Sequence, residues 1–305
     1  MNEQLSMRIE RLKNERGAVI LAHNYQCGEV QDVADFAGDS LGLSIKAAET
    51  DAEVIVFCGV QFMAETAAIL SPEKTVLLPE KSAGCPMADM IDAEQLRQLK
   101  QEHPDALVVC YVNSSAEVKA ESDYCCTSAN AVEVVESLPA DKRVIFVPDR
   151  NLGQFVAERT GRDLVLWPGY CTTHVVITTD DITTAREKHP DATVMAHPEC
   201  TTPVREVADE LLSTGQMLKF AAASEVTQFI IATETGIIHA LKKQNPRAEF
   251  FGATRRAICP NMKKITLDKV IASLEDMQHV VTVPDDIRTR AKKALDRMVE
   301  VLPPQ

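Results

Sequence analysis

Residues 167–174 read WPGYCTTH, and the cysteine in this segment is the middle one of three that recur at nearly equal intervals. Cys85 and Cys171 are 86 residues apart (171 less 85), and Cys171 and Cys259 are 88 apart (259 less 171). Each of the three follows an apolar run typical of a β-strand. Nine cysteines offer many possible triples, so this spacing needs support from a second, independent series.

That second series consists of apolar runs that end in polar residues. They are VILAHNY at 19–25, LVVCYVNSS at 107–115 and TVMAHPECT at 193–201. Their polar tips, His23, Tyr111 and His197, are 88 (111 less 23) and 86 (197 less 111) residues apart, and the tetrapeptide HPDA occurs at both 103–106 and 189–192. The two series predict three copies of one α/β unit, with boundaries at 1–104, 105–191 and 192–305.

Within these units the apolar patterns predict the following elements. The first has strands at 18–22, 54–58 and 75–78, helical spacing over 30–50 broken by Gly38-Asp39-Ser40, and helices from Phe62 and at 93–101. The second has strands at 107–111, 124–126, 143–147 and 163–166, a short helix after the first strand, and helices at 129–138 and 152–159. The third has strands at 193–196, 218–222 and 249–252 and helices at 203–212 and 226–242. A last strand at 280–283 and a helix at 286–301 end the chain, and the N-terminus is helical in pattern.

Composition narrows the class of protein. The formal charge of −13 argues against a non-specific nucleic-acid binder, because such proteins need a positive face. No apolar run approaches the roughly 20 residues that span a bilayer. The charged N-terminus lacks the apolar core of a signal peptide, so we expect a cytoplasmic protein with no membrane association. In a reducing compartment the cysteines are core atoms, metal ligands or reactive thiols rather than disulfides.

The three periodic cysteines lie too far apart for a local zinc-finger or ferredoxin cassette. Three equivalent units around a pseudo-threefold axis would, however, bring three equivalent loops to one point. Three thiolates there can hold three irons of a [4Fe-4S] cluster and leave the fourth iron open as a Lewis acid. The alternative is that cysteines are buried apolar residues. We favour that alternative for Cys58, Cys110 and Cys126, and Cys27, Cys125 and Cys200 have no partner at the repeat period.

Several motifs together resemble the quinolinate synthase family over essentially the whole chain. They are AHNYQ, GDS, CGVQFMAET, SAGCPMADM, YVNSS, WPGYCTTH, AHPEC and RRAICPNM. The resemblance implies a triangle of three similar three-layer α/β domains around one [4Fe-4S] cluster ligated by Cys85, Cys171 and Cys259. It also implies condensation of iminosuccinate with dihydroxyacetone phosphate to quinolinate, a step of NAD biosynthesis, with release of phosphate and two waters. Some members carry CxxCxxC at the last cysteine, whereas CPNMKK here contains no further thiol, which leaves Cys259 as a simple ligand.

The candidate catalytic residues stand at the polar strand tips. Glu199 is the only carboxylate in such a motif and is the natural general acid or base, with His197, Tyr25 and His23 beside it. By resemblance, Ser40 contacts substrate, although a turn or helix cap would also explain a serine there. Capping and anion binding at a helix N-terminus both remain open for Ser128 and Thr214. His174 could equally support the cluster or have no role in the site. The predicted substrate-binding set is His23, Ser40, Tyr111, Val112, Asn113, Ser128, His197, Pro198, Glu199 and Thr214.

Two other functions remain open at this point. An iron-sulfur redox or sensor protein would explain the cysteines but not the polar groups at three strand tips. An iron-sulfur dehydratase of hydroxy acids would share the open iron but would have no need of a phosphate site. A transient partner that oxidises aspartate and supplies the imine is also consistent with the resemblance.

Overall fold

Three parallel four-stranded sheets form the framework of the protein in this computed structural model, which describes residues 2–301. The first sheet has the order β2-β1-β3-β4. Its strands are β1 (Ala18–His23), β2 (Phe36–Gly38), β3 (Val54–Cys58) and β4 (Thr75–Leu77). The described residues therefore confirm the strand that ends in His23 and add a short edge strand, β2.

The other two sheets repeat this order. The second is β6-β5-β7-β8, with β5 (Leu107–Tyr111), β6 (Tyr124–Cys126), β7 (Val144–Val147) and β8 (Leu164–Leu166). The third is β10-β9-β11-β12, with β9 (Thr193–Ala196), β10 (Glu210–Leu211), β11 (Gln228–Ala232) and β12 (Glu249–Gly252). Three sheets with one strand order confirm the prediction of three similar α/β units. The unit boundaries remain a prediction, and their outer ends, at residue 1 and at 302–305, lie outside the described residues.

Helices connect the strands, as parallel pairing requires. In chain order the first eight are α1 (Asn2–Arg16), α2 (Gly28–Asp32), α3 (Ser40–Glu49), α4 (Gln61–Leu70), α5 (Ala93–Glu102), α6 (Ala116–Ala120), α7 (Ala131–Ser137) and α8 (Arg150–Thr160). After them come α9 (Thr179–Lys188), α10 (Thr202–Val207), α11 (Thr214–Ala223), α12 (Ile237–Gln244), α13 (Leu267–Asp276) and α14 (Asp285–Glu300). Short 3-10 turns follow two of the periodic cysteines, at Ala88–Met90 and Met262–Lys264.

An aspartate at the same place in each unit holds the start of the leading strand. Carboxylate oxygens of Asp35, Asp123 and Asp209 accept the backbone N–H of Ile20, Val108 and Val194 at 2.7, 2.8 and 2.7 Å respectively. These aspartates are themselves 88 (123 less 35) and 86 (209 less 123) residues apart. The repeat therefore extends to the side chains that anchor the amino ends of the sheets.

The structure corrects the prediction over residues 30–50, where helical spacing was expected on both sides of a break at Gly38-Asp39-Ser40. Helix α2 ends at Asp32, β2 pairs with β1 from Leu21↔Phe36 to His23↔Gly38, and α3 then begins at Ser40. A three-residue edge strand is too short to show alternation, so its pairing with β1, rather than its own pattern, determines its state.

The third unit departs most from the predicted elements. The predicted helix at 203–212 ends at Val207 and gives way to β10. The predicted strand at 218–222 lies inside α11, which begins with a reciprocal capping box between Ser213 and Gln216. The predicted helix at 226–242 is instead β11 followed by α12, because the β11 residues pair with both β9 and β12. In the second unit, helix α9, which starts with a capping box at Thr178, was not predicted.

The C-terminal segment packs on the first two units. Helix α13 lies against α1, and α14 lies against α6, β6 and α4. The predicted strand at 280–283 is wrong, since Val280 forms only an isolated antiparallel bridge with Leu77. One hydrophobic cluster runs through the first two sheets and one face of the third, and a smaller one fills the other face of the third sheet. None of the described helices has the length and apolar character needed to cross a bilayer.

Candidate active site

One cavity collects the carboxyl ends of the leading strands of all three sheets. It is lined by His23 at the end of β1, Tyr111 at the end of β5 and His197 just after β9. Ligand sites in open parallel sheets lie at this edge, because loops and helix N-termini converge there. The three polar residues that recur in the sequence are thus brought together by equivalent strands.

The three periodic cysteines line the same cavity. Cys85, Cys171 and Cys259 lie on the loops that follow the last strand of each sheet. Burial raises the pKa of the Cys85 thiol to about 12, while backbone N–H groups of Ala88 and Met87 at the sulfur act in the opposite direction. Burial likewise raises the pKa of Cys171 and Cys259, whose sulfurs also meet backbone N–H groups of the turns that follow them.

This donor set fits an iron-sulfur cluster. Three partly buried thiols that face one polar cavity ionise readily only if a cation there compensates their charge. Backbone N–H groups directed at the sulfurs are the hydrogen bonds that cluster thiolates accept. The cysteines assigned to the apolar interior behave differently, because Cys58, Cys110 and Cys126 lie within strands and are fully buried. Among the described residues that line the cavity, only the three periodic cysteines carry sulfur as a thiol.

Glu199 is buried at the centre of the polar contacts. Its Oε2 lies 2.6 Å from Nδ1 of His174 and 3.6 Å from Nδ1 of His197. Burial acts to raise the pKa of Glu199, but His174, His197 and a hydrogen bond from Tyr111 outweigh it and lower that pKa to about 2. Oε1 has no hydrogen-bond partner in the described chain. The geometry leaves an ionised carboxylate with one oxygen available to a ligand.

A second set of contacts links His174 to Tyr25. Nε2 of His174 lies 2.7 Å from Oγ1 of Thr233, and the Tyr25 hydroxyl lies 2.5 Å from the same Thr233 oxygen. Burial, followed by the charge of Glu199, raises the pKa of Tyr25 well above its usual value, so its phenol keeps its proton. The same causes, in the same order, raise the pKa of Tyr111. His174, left open by the sequence, therefore connects the carboxylate of Glu199 to a neutral phenol.

The other two histidines that line the cavity, His23 and His197, are uncharged. Burial is the largest influence on His23 and His197 and lowers the pKa of each to about 3. Nδ1 of His23 accepts the backbone N–H of Tyr25 at 3.1 Å, and Nε2 of His197 lies 3.1 Å from the Ser128 hydroxyl. Since Nδ1 of His23 is an acceptor, its Nε2 carries the proton and can donate into the cavity.

Helix N-termini complete the polar lining. Ser40 is the first residue of α3 and Thr214 is the first residue of α11, and both line the cavity. Asp39 caps α3 by accepting the N–H of Gly42 at 2.8 Å, and it also accepts the N–H of Gly215 in α11. Ser128 lies just before α7 and lines the cavity too. Exposed N–H groups at helix starts favour anions.

The structure separates two predicted substrate residues from this lining. Tyr111 and Asn113 line the cavity, whereas Val112 between them is buried and does not. Pro198 borders a separate shallow cleft that shares Ser128 with the cavity. Asn113 Oδ1, like Glu199 Oε1, is buried without a hydrogen-bond partner in the described chain. These unpaired oxygens indicate where a ligand supplies hydrogen-bond donors.

Sequence reasoning missed the apolar side of the cavity and part of its polar support. The apolar side consists of Val60, Phe62, Met63, Met87 and Met262. Asp39 was visible in the GDS motif, and Phe62 and Met63 in CGVQFMAET, but neither motif distinguishes lining from packing. Thr233 had no sequence signal of its own; it directly follows the end of β11.

Comparisons with known proteins agree with this geometry. A family model described as quinolinate synthetase A protein matches residues 7–300. Curated quinolinate synthases are similar over nearly the full length. The chain is 58% identical to one from Dehalococcoides mccartyi (strain CBDB1), covering 98% of this chain and 99% of the relative. It is 57% identical to one from Methanosarcina barkeri and 54% identical to one from Geobacter metallireducens, with 98% of both chains covered in each case.

Proposed function

The chain belongs to the quinolinate synthase family, and from this premise we propose that it condenses iminosuccinate with dihydroxyacetone phosphate to quinolinate, releasing phosphate and two molecules of water. One observation carries the proposal. A single cavity is lined by three cysteines from equivalent loops and by His23, Tyr111 and His197 from equivalent strand ends. A redox protein would need the three cysteines but not the polar residues at the strand ends.

The proposed reaction is redox-neutral. Carbon, nitrogen and phosphorus of the two substrates all appear in quinolinate and phosphate, and the remaining hydrogen and oxygen leave as water. No external oxidant is required, so a metal centre at this site serves as a Lewis acid rather than as an electron carrier. The reaction is a transfer of a three-carbon unit, which places the enzyme among the transferases.

The cofactor we propose is a [4Fe-4S] cluster held by Cys85, Cys171 and Cys259. With three protein ligands, its fourth iron would polarise an oxygen or nitrogen of the substrate and assist loss of water. The equivalent positions of the three cysteines after β4, β8 and β12 support a pseudo-threefold arrangement of the units around this point.

In this proposal, side chains of the protein carry out the proton transfers. We assign Glu199 as the general base, because it is ionised and presents an unpaired oxygen to the cavity. Tyr25 keeps its proton and can donate it to a departing hydroxyl, with His174 and Thr233 holding its position. His23 and His197 stay neutral and act as hydrogen-bond donors or acceptors rather than as charged acids.

Anionic groups of the substrates are bound without a cluster of cations. Ser40 and Thr214 present hydroxyls at the starts of α3 and α11, and Ser128 presents one beside His197. The phosphate or a carboxylate placed there would accept from these hydroxyls and from backbone N–H groups. Tyr111 and Asn113 suit the remaining polar atoms of the dicarboxylate. We keep Val112 and Pro198 as binding residues only through their backbone groups.

Iminosuccinate hydrolyses in water, so a supply close to the enzyme is useful. We propose that an aspartate-oxidising enzyme furnishes the imine and that both act in the cytoplasm. Association between them would be transient, because the substrate itself is small and diffusible.

The experiment is an anaerobic assay of purified protein with dihydroxyacetone phosphate and freshly generated iminosuccinate, in which quinolinate is detected by chromatography. We expect quinolinate from the wild-type protein and none from Cys171→Ser. Exposure to air should remove activity while the circular dichroism spectrum of the fold persists. Electron paramagnetic resonance of the reduced protein should change with triose phosphate; a response to citrate alone would favour a dehydratase, and no response to either would favour a redox protein.

A further inference from the structure

Two buried carboxyl groups lie behind the cysteine loops and have no part in the proposed proton transfers. Asp149 is two residues beyond the end of β7, and Glu234 is two residues beyond the end of β11. Both side chains are fully buried. A fully buried carboxyl group is costly unless its oxygens are well paired, so each calls for a structural or functional explanation.

Asp149 joins the start of a helix to the loop of Cys171. Its Oδ1 accepts the N–H of Leu152 in α8 at 2.8 Å, which makes it the cap of that helix. Its Oδ2 accepts the N–H of Cys171 itself at 3.2 Å. The carboxyl group therefore fixes the backbone of a proposed cluster ligand to the rigid end of a helix.

Glu234 does the same for Cys259. Its Oε1 accepts the N–H of Cys259 at 3.2 Å, and its Oε2 accepts the N–H of Gly236 at 2.7 Å, just before α12. Nζ of Lys263 lies 2.9 Å from Oε1 and also donates to the backbone oxygen of Tyr25. The third cysteine loop is thus tied to both a helix start and the strand-tip residue Tyr25.

The first unit has no such carboxyl group, because the residue two positions beyond the end of β3 is Val60. All three units share a backbone bond to the residue two positions before the cysteine: Gln61 N–H donates to Ala83 O at 2.8 Å, Arg150 N–H to Gly169 O at 2.9 Å and Thr235 N–H to Ala257 O at 3.0 Å. A side-chain acceptor for the cysteine amide is therefore a feature of the second and third units.

We propose that Asp149 and Glu234 are positioning residues that fix the backbone of Cys171 and Cys259 for cluster binding, an inference that rests on the proposed cluster. Each serves two N–H donors with its two oxygens. An amide side chain of the same shape has one acceptor oxygen, so it satisfies one donor and turns its own N–H₂ toward the other. The amide of Cys171 or Cys259 then loses its acceptor, and its loop is held by the backbone bond that all three units share.

The test compares Asp149→Asn and Glu234→Gln with Asp209→Asn. Asp209 is a matched control, because its two oxygens also serve two donors, Val194 N at 2.7 Å and Arg186 Nη2 at 2.8 Å, at the opposite end of the third sheet. Iron release from anaerobic protein to a chelator is timed, and the electron paramagnetic resonance spectrum and thermal melting are recorded.

We expect iron release about 10- to 100-fold faster in Asp149→Asn and Glu234→Gln, the usual consequence of removing a group that orients a metal ligand. Their resonance spectra should also shift. Asp209→Asn should melt earlier yet keep the wild-type release rate and spectrum. Wild-type release and spectra in both test variants would overturn the positioning role while leaving the proposed function intact. Wild-type protein that holds no iron or sulfide would instead contradict the proposed function and, with it, this inference.

A measurement on wild-type protein covers the case in which a variant does not fold. Hydrogen exchange of the apoprotein, resolved at single amides, should be slower at Cys171 and Cys259 than at Cys85. Equal or faster exchange at Cys171 and Cys259 would show that the two carboxyl groups do not hold these loops, and would refute the proposal.

Discussion

Replacing Glu199 by glutamine tests the proposed chemistry most directly. The carboxylate has one oxygen 2.6 Å from Nδ1 of His174 and the other without a partner in the described chain. The neighbouring His174 and His197 lower its pKa to about 2, which favours the ionised carboxylate at neutral pH. Glutamine keeps the shape of the side chain but neither gains nor loses a proton, so the substitution removes the proposed base and little else.

The expected loss of rate in Glu199→Gln follows from the proposed role of Glu199 as general base. General acid or base assistance contributes about 10² to 10⁴ in rate. Each factor of ten corresponds to about 1.4 kcal/mol of activation free energy, so the loss is about 3 to 5 kcal/mol. The effect should fall on kcat, while KM for the two substrates changes little because an amide occupies the same volume.

Turnover is measured anaerobically by the rate of quinolinate formation at saturating substrates. Glu158→Gln is the control, since Glu158 is a half-exposed carboxylate paired with Arg205 at 3.1 Å and does not line the cavity. Iron and sulfide content and the melting temperature are determined for both variants. Cluster content should equal that of the wild type in each.

Near-full turnover of Glu199→Gln with an intact cluster would refute the assignment. The acid-base role would then pass to His197 or Tyr25, and the low pKa of Glu199 would reflect only its contacts with His174. A loss of cluster together with turnover would refute it in another way, because Glu199 would then support iron binding rather than proton transfer.

Serine at any one of the proposed cluster ligands should remove most of the visible absorbance and iron of the anaerobic protein, whereas Cys58→Ser, at the buried end of β3, should leave both in place. The proposed ligands are Cys85, Cys171 and Cys259. The profile of kcat/KM against pH should show no limb near 6.5 from His23 or His197, because burial lowers the pKa of each to about 3 and both stay neutral above it; a limb near 6.5 that disappears in His197→Asn would contradict this. Lys119→Ala should lower the free energy of unfolding by about 2 to 5 kcal/mol in denaturant titrations, since this fully buried side chain donates to Ser114 O at 2.7 Å and packs on Phe62; a cost below about 1 kcal/mol would show that its burial contributes little.

The sequence alone was sufficient to predict the repeat and the strand ends that carry the site. A buried parallel strand is a continuous apolar run, and the polar residue at its end stands out against it. His23, Tyr111 and His197 were visible for this reason, and the periodic cysteines were visible because each unit keeps its cysteine loop at a nearly constant distance from its leading strand.

The repeat period also indicated a strand at β11, where the local apolar pattern favoured a helix. Val144, the first residue of β7, lies 86 residues before Ile230 in the middle of β11 (230 less 144), although the pattern there favoured a helix. Apolar segments of this length are compatible with either state. The structure resolves them because β9 and β12 supply the hydrogen bonds that keep β11 extended.

Contacts between distant segments were beyond the reach of the sequence. His174 and Glu199, 25 residues apart (199 less 174), lie 2.6 Å from each other, and Asp149 and Glu234 reach the amides of cysteines on other loops. The end of a strand can be recognised from the residues next to it in the sequence. The partner of a buried polar group, in contrast, depends on how the loops of the three sheets pack against one another. Only the tertiary structure, in which each buried oxygen must find a donor, decides that pairing.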